Sequence, residues 1–157
     1  MFRASLEAIA QKRWDQAEAE LLALTRQYPQ FSAAWLNLGI VSHVNGRSEG
    51  AEQSLRRALA TNADNIEAYN YLAVMYRQQG RFAESEALYL QALARAPRHG
   101  DSHLNLGILY EVYLGDLAKA KSHYQSYQSL RAEPDRLVAG WIMDIERRQA
   151  DLASAAR

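Results

Sequence analysis

The sequence predicts an all-α chain of four stacked helix-turn-helix units closed by one further helix. Three observations carry that expectation. The pentapeptide Leu36-Asn37-Leu38-Gly39-Ile40 recurs letter for letter at Leu104 to Ile108, 68 residues later, and midway between them stands the related Asn70-Tyr71-Leu72-Ala73-Val74. A glycine follows each copy, at Gly46, Gly80 and, one residue late, Gly115. Around these marks residues recur at helical spacing, as in Leu72, Met75 and Tyr76, which gives each helix one stripe to bury.

The first unit, about 1–31, carries the frame in Ser5, Ala8, Trp14, Ala17, Leu21, Leu24 and Pro29. Met1 stands in the column headed by Trp35 in the next unit, so its first helix is expected to lack a cap and about one turn of chain. Either the protein begins abruptly or the chain is a piece of a longer precursor. The second unit, 32–65, runs through Trp35, Leu38, Gly39 and Ser42, turns at Gly46, and continues with Ala51, Leu55 and Ala58. There Ala63 replaces the closing proline, and the neighbouring Asn and Asp residues of Thr61 to Asn65 supply turn and cap chemistry instead. In the third unit, 66–99, the same columns are Tyr69, Leu72, Ala73 and Tyr76, then Gly80, then Ser85, Tyr89, Ala92 and Pro97. The fourth, 100–132, has His103, Leu106, Gly107 and Tyr110 before Gly115, and Ala120, Tyr124 and Tyr127 after it. Its extra residue before Gly115 is expected to lengthen the helix or form a bulge. Pro134 and Asp135 then signal a new helix over about 135–150, with Leu137, Val138, Trp141, Ile142 and Ile145 on one side to cover the last unit. The tail from Ala150 to Arg157 is expected to fray.

These columns resemble the tetratricopeptide repeat family, whose unit is a 34-residue helix-turn-helix with this order of aromatic, Leu, Gly, Tyr, Ala and Pro. The resemblance covers residues 1 to about 132 and implies a right-handed α-solenoid, read here as a single domain over 1–157. A lone hairpin cannot cover its apolar stripe, whereas stacked neighbours can. Gly39 is expected to face Ala51, and Gly107 to face Ala120, so that paired helices approach closely. Trp35 and Leu72 are expected to be buried between repeats.

Composition narrows the function. Hydrophobic residues make up 48% of the chain and charged residues 23%, enough apolar chain for a sizeable core. Formal net charge is zero and the pI is near 6.9, so no global field recruits nucleic acid or anionic lipid. With no cysteine, disulfides, zinc thiolates and thiol catalysis are excluded. No apolar run reaches membrane-spanning length, and no phosphate loop, GxGxxG or nucleophile elbow is present. His99, Asp101 and His103 have metal-ligand chemistry, yet His103 sits in an aromatic column and no fourth ligand is evident, so neither metal nor cofactor is expected. An enzyme would have no residues to stand on. The chain carries no address: as written it reads as cytoplasmic, as a truncated lipoprotein it would be periplasmic, and the compartment stays open.

The resemblance also implies a concave face made by the first helix of each unit. Its residues here are Phe2 and Leu6; Leu36, Asn37, Ile40, His43 and Val44; Asn70, Tyr71, Val74 and Arg77; and Leu104, Asn105, Ile108 and Glu111. Leu6, Ile40, Val74 and Ile108 form an apolar column, and the asparagines offer side-chain amides to a peptide backbone. The expected function is a non-catalytic scaffold that takes an apolar or amphipathic segment of a protein partner. The alternative is self-assembly through the uncapped first unit or the last helix; a monomer is the expected state and a homodimer its competitor. Chaperone-type acidic tails are not expected to bind, because Glu67 and Asp101 would repel a carboxylate. The fourth unit and final helix are also similar to bacterial members of the superfamily, some of them lipoproteins, that accompany motor or TonB-type complexes; that similarity implies a periplasmic protein clipped before Met1.

Overall fold

The computed structural model describes residues 1–155. All of its regular structure is helical. In chain order come α1 (Phe2–Ala10), α2 (Trp14–Gln27), α3 (Ser32–Val44), α4 (Ser48–Thr61), α5 (Ile66–Gln78), α6 (Phe82–Arg95), α7 (Gly100–Ile108), a π-helical segment (Leu109–Leu114), α8 (Leu117–Ser129) and α9 (Arg136–Ala155). The chain resolves into two compact units, Met1–Met75 and Tyr76–Arg157, described in turn.

In the first unit, α1 packs on α2, α2 on α3 and α3 on α4. Ala8, Ala17, Leu21, Leu38 and Val41 form its centre, with Phe2, Ile9, Trp14 and Trp35 packed against them. Trp35 is half-buried at the edge of this core, with its indole N–H donating to the Pro29 carbonyl at 2.8 Å. Full burial was the expectation for Trp35, and the structure corrects it: the ring must reach the closing proline, which holds its polar edge at the surface. Leu72 is buried as expected. The close approach at Gly39 is made by two contacts, because a Cβ there would lie 2.6 Å from Leu55 Cγ and 3.2 Å from the Ala51 carbonyl oxygen.

The turn between paired helices is closed by one bond repeated in every copy. The N–H that opens the second helix donates to a carbonyl in the last turn of the first: Arg13 to Ala8, Arg47 to Ser42, Arg81 to Tyr76 and Asp116 to Tyr110, each at 2.8 or 2.9 Å. This bond demands a left-handed residue just before the second helix, supplied by Gly46, Gly80 and Gly115 at φ near +70°. In the first copy Lys12 takes that place, at φ 57°. Between Thr61 and Asn65 the polar side chains act as anticipated: Asn62 Oδ1 accepts from Asp64 N–H, and Asn65 Oδ1 accepts from Ala68 N–H.

The second unit absorbs its extra residue in the π-helical segment, where the closing bond spans six residues instead of five. Helix α7 leads into it and α8 follows after the turn. Leu106, Leu109, Tyr89 and Tyr124 are fully buried there. Gly107 faces the Tyr124 ring, one turn beyond the expected Ala120, at 2.5 Å and 2.6 Å from a hypothetical Cβ. Asp135 caps α9 through Leu137 and Val138 N–H, and Val138 and Ile145 are buried against the neighbouring helices. Leu137 is not part of that stripe; it is solvent-exposed. Helix α9 also continues to Ala155 where fraying was expected from Ala150; residues 156–157 of that tail lie outside the described residues.

Candidate functional site

The candidate site is the outward face of each first helix, taken unit by unit. In the first unit Leu6, Val44 and Tyr71 are exposed at 41%, 51% and 42%, while Phe2, Leu36, Ile40 and Val74 are half-buried. The apolar column therefore packs and presents surface at once. Leu6 and Val44 give the best contact area at least structural cost. His43 is half-buried beside Val44, and its Nδ1 is buried without a hydrogen-bond partner.

The asparagines are already committed, in part, to their own helices. Asn37 Nδ2 donates to the Ala33 carbonyl at 2.8 Å, and Asn70 Nδ2 donates to Ile66 at 3.0 Å with its residue buried. Each amide has spent a donor one turn back, so a free pair of amides for a peptide backbone is not what these two positions offer.

In the second unit Leu104, Asn105 and Ile108 are half-buried, and Val112 beyond them is 64% exposed. Arg77 lies over the Tyr113 ring at 5.7 Å, with Nε and Nη1 buried and unbonded. Glu111, by contrast, is occupied. It accepts from the Tyr124 hydroxyl at 2.8 Å and from Arg148 of α9 at 3.0 Å. Burial, then the bond to Glu111 and its charge, push the Tyr124 hydroxyl well above its ordinary range. Trp141 lies on the other side of that ring, 5.4 Å between centroids. Helix α9 thus closes this end of the fourth repeat and removes Glu111 from the free surface.

Two histidines form a separate cluster. His103 Nε2 meets the Pro97 carbonyl at 3.0 Å, the counterpart of Trp35 on Pro29, and His103 Nδ1 meets His123 Nδ1 at 3.0 Å. With a neutral pair, His103 donates to Pro97 and accepts from His123. Burial, then the repulsion a second proton would meet from the neighbouring His103 and Lys119, pushes His123 down to about 4.

In the first unit Glu18 is the buried charge. It accepts from Ser42 Oγ at 2.9 Å, from Asn45 Nδ2 at 2.7 Å and from Arg47. Burial opposes its ionisation, but these three donors outweigh it and hold the carboxyl below its ordinary range. Its role is to fasten α2 to the end of α3 and the turn into α4.

Two tetratricopeptide repeat family models match, over residues 2–66 and 64–133. The chain belongs to the tetratricopeptide repeat superfamily. It is 32% identical over 116 residues to tetratricopeptide repeat protein 8 of Homo sapiens, covering 74% of this chain and 21% of that one. Over 142 residues it is 31% identical to the Protein CTR9 homolog of Arabidopsis thaliana, covering 83% of this chain and 13% of the relative. It spans about a fifth or less of the length of these relatives. Among solved structures, Pseudomonas aeruginosa pilF superposes with a TM-score of 0.84 at 20% identity, covering 99% of this chain and 70% of that one. A MamA RS-1 double mutant gives 0.80 at 17% identity, covering 99% and 86%. These structural likenesses establish the fold, an all-α solenoid of repeat units. With the fold comes the general class, a protein-protein interaction module of a superfamily whose members are typically non-catalytic scaffolds. No helix among the described residues is long and apolar enough to cross a membrane.

Proposed function

We propose that this chain is a non-catalytic adaptor that docks an apolar or amphipathic segment of a protein partner on its first-helix faces. The observation that carries this reading is the exposure of Leu6, Val44 and Tyr71 on the first helices of one unit. Large side chains left in water on consecutive repeats cost free energy unless something covers them, at about 25 cal/mol per Å² of apolar surface. The partner segment this reading favours is an amphipathic helix presenting apolar anchors at i, i+3, i+4 and i+7. The test is co-purification from the native cell with wild type beside Leu6→Glu, Val44→Glu, at matched melting temperature. A protein retained by the wild type and lost by the variant supports the reading; identical retention refutes it.

A second reading is favoured by α9, whose Leu137, Met143 and Leu152 are all more than 60% exposed. Leu137 and Leu152 lie within about 60° of each other around the helix, and self-association through that face would cover both. Light scattering across a hundredfold concentration range distinguishes the two, since a constant monomer mass removes self-assembly.

A further inference from the structure

The first unit contains a cleft of about 720 Å³ bordered by α2, α3 and α4, away from the first-helix surface discussed above. Its size falls in the range of small-ligand sites, roughly 300–1,000 Å³. Leu22, Trp35 and Leu38 make its apolar wall, and Trp35 is held in place by its bond to Pro29. Arg56 and Arg57 stand at the lining on α4.

Charge in this cleft is unbalanced. Glu18 is the acid in the lining, and it is matched by Arg47. Arg56 pairs with Glu52 at 2.7 Å. Arg57 has no acid partner among the described residues and leaves one cation uncompensated beside an apolar wall.

Gly50 supplies an independent observation. It is the third residue of helix α4, where glycine is a poorer helix former than alanine. Gly39 and Gly107 are explained by side chains pressed against them, and Gly46, Gly80 and Gly115 by left-handed turns. At Gly50 a Cβ would meet nothing within 4 Å, so no packing contact or turn requires the glycine. It lines the cleft, and its missing side chain keeps that space open.

We propose that this cleft binds a small amphiphilic organic acid, with an aryl or branched-alkyl body on Leu22 and Trp35 and its acid group at Arg57. The body fits the apolar wall, and one negative charge balances the one unmatched cation. The inference does not depend on partner docking at the first-helix face.

The probe for the test is 8-anilinonaphthalene-1-sulfonate, titrated into the full chain and followed by amide and indole shifts in nitrogen-15 spectra. Saturable binding of one probe per chain is expected, moving the Trp35 indole and Gly50 amide signals. Gly50→Leu fills the cleft in open space and strengthens the helix, so it should keep or raise the melting temperature while weakening the probe about tenfold or more. Arg57→Glu reverses an exposed charge and should weaken it about fivefold or more. Absence of saturable binding, shifts that miss Trp35 and Gly50, or wild-type affinity in either variant would overturn the proposal.

Discussion

Replacing Gly107 by alanine places a methyl carbon 2.5 and 2.6 Å from two ring carbons of Tyr124, where ordinary contact begins near 3.5 Å. The ring would have to retreat by about 1 Å. It has nowhere to go: it is buried, its hydroxyl is tied to Glu111 at 2.8 Å, and Trp141 stands 5.4 Å away. Overpacking of this kind costs about 1–3 kcal/mol. The helix-forming advantage of alanine over glycine offsets about 1 kcal/mol. With the clash about 1 Å deep the cost falls at the upper end of that range, and a net destabilisation of about 2 kcal/mol is therefore expected. Urea denaturation followed by helical circular dichroism reads it directly as a lower midpoint at unchanged slope. The same Gly107→Ala change made in a Tyr124→Ala background should cost much less, because the ring that clashes is gone. A Gly107→Ala protein as stable as wild type would refute the contact, and with it the account of why this column holds glycine.

Other consequences follow from the same geometry. Lys12→Gly should stabilise the chain by about 1 kcal/mol, since it relieves a left-handed residue that carries a Cβ, and a matched urea titration checks it. Glu18→Ala should cost about 2–4 kcal/mol by leaving Ser42, Asn45 and Arg47 without their shared acceptor, measured by thermal unfolding. The His123 ring gives a pH dependence of definite sign. The unfolded ring takes a proton near 6.5 and the folded one near 4, so the unfolded state binds more protons between these values and stability falls as pH drops through that window. The ring is partly open to solvent, which limits the loss to about 1–2 kcal/mol, and His123→Gln should flatten the slope. Below the ordinary carboxylate range Glu18 adds a second loss, because its folded carboxyl holds its charge to lower pH than the unfolded one.

Much of this fold was legible because repetition converts a weak pattern into a register. Leu38, Leu72 and Leu106 share a column, and all three are buried. The glycine column announced the turns, and Asp135 announced the start of α9, because both are backbone demands that few residue types meet. What the register could not convey was how side chains divide the space. Gly107 pointed to a close approach, but whether Ala120 or Tyr124 filled it depends on rotamer and volume. Trp35 looked like core because of its column, while its indole N–H required a partner and drew it to Pro29. The one-residue insertion was visible, whereas its resolution as a π turn depends on the cost of an alternative in which every side chain of the helix rotates away from its neighbours. The candidate face was legible as a column of residue types. Its division into exposed Leu6 and Val44 and half-buried Ile40 was not, because exposure depends on the neighbouring helix. Lys12 was signalled only by register, 34 residues before Gly46; nothing about lysine itself indicates a left-handed backbone.

If partners meet the first-helix face, a probe placed there must touch them. Photo-crosslinking in cells that make the protein natively tests it most directly. A photoreactive residue placed at Val44, exposed on α3, is compared with one at Gln27, exposed at the end of α2. A discrete crosslinked partner is expected from position 44, lost when Leu6 is changed to Glu, with none from position 27. Crosslinks from position 27 with none from position 44 would contradict it.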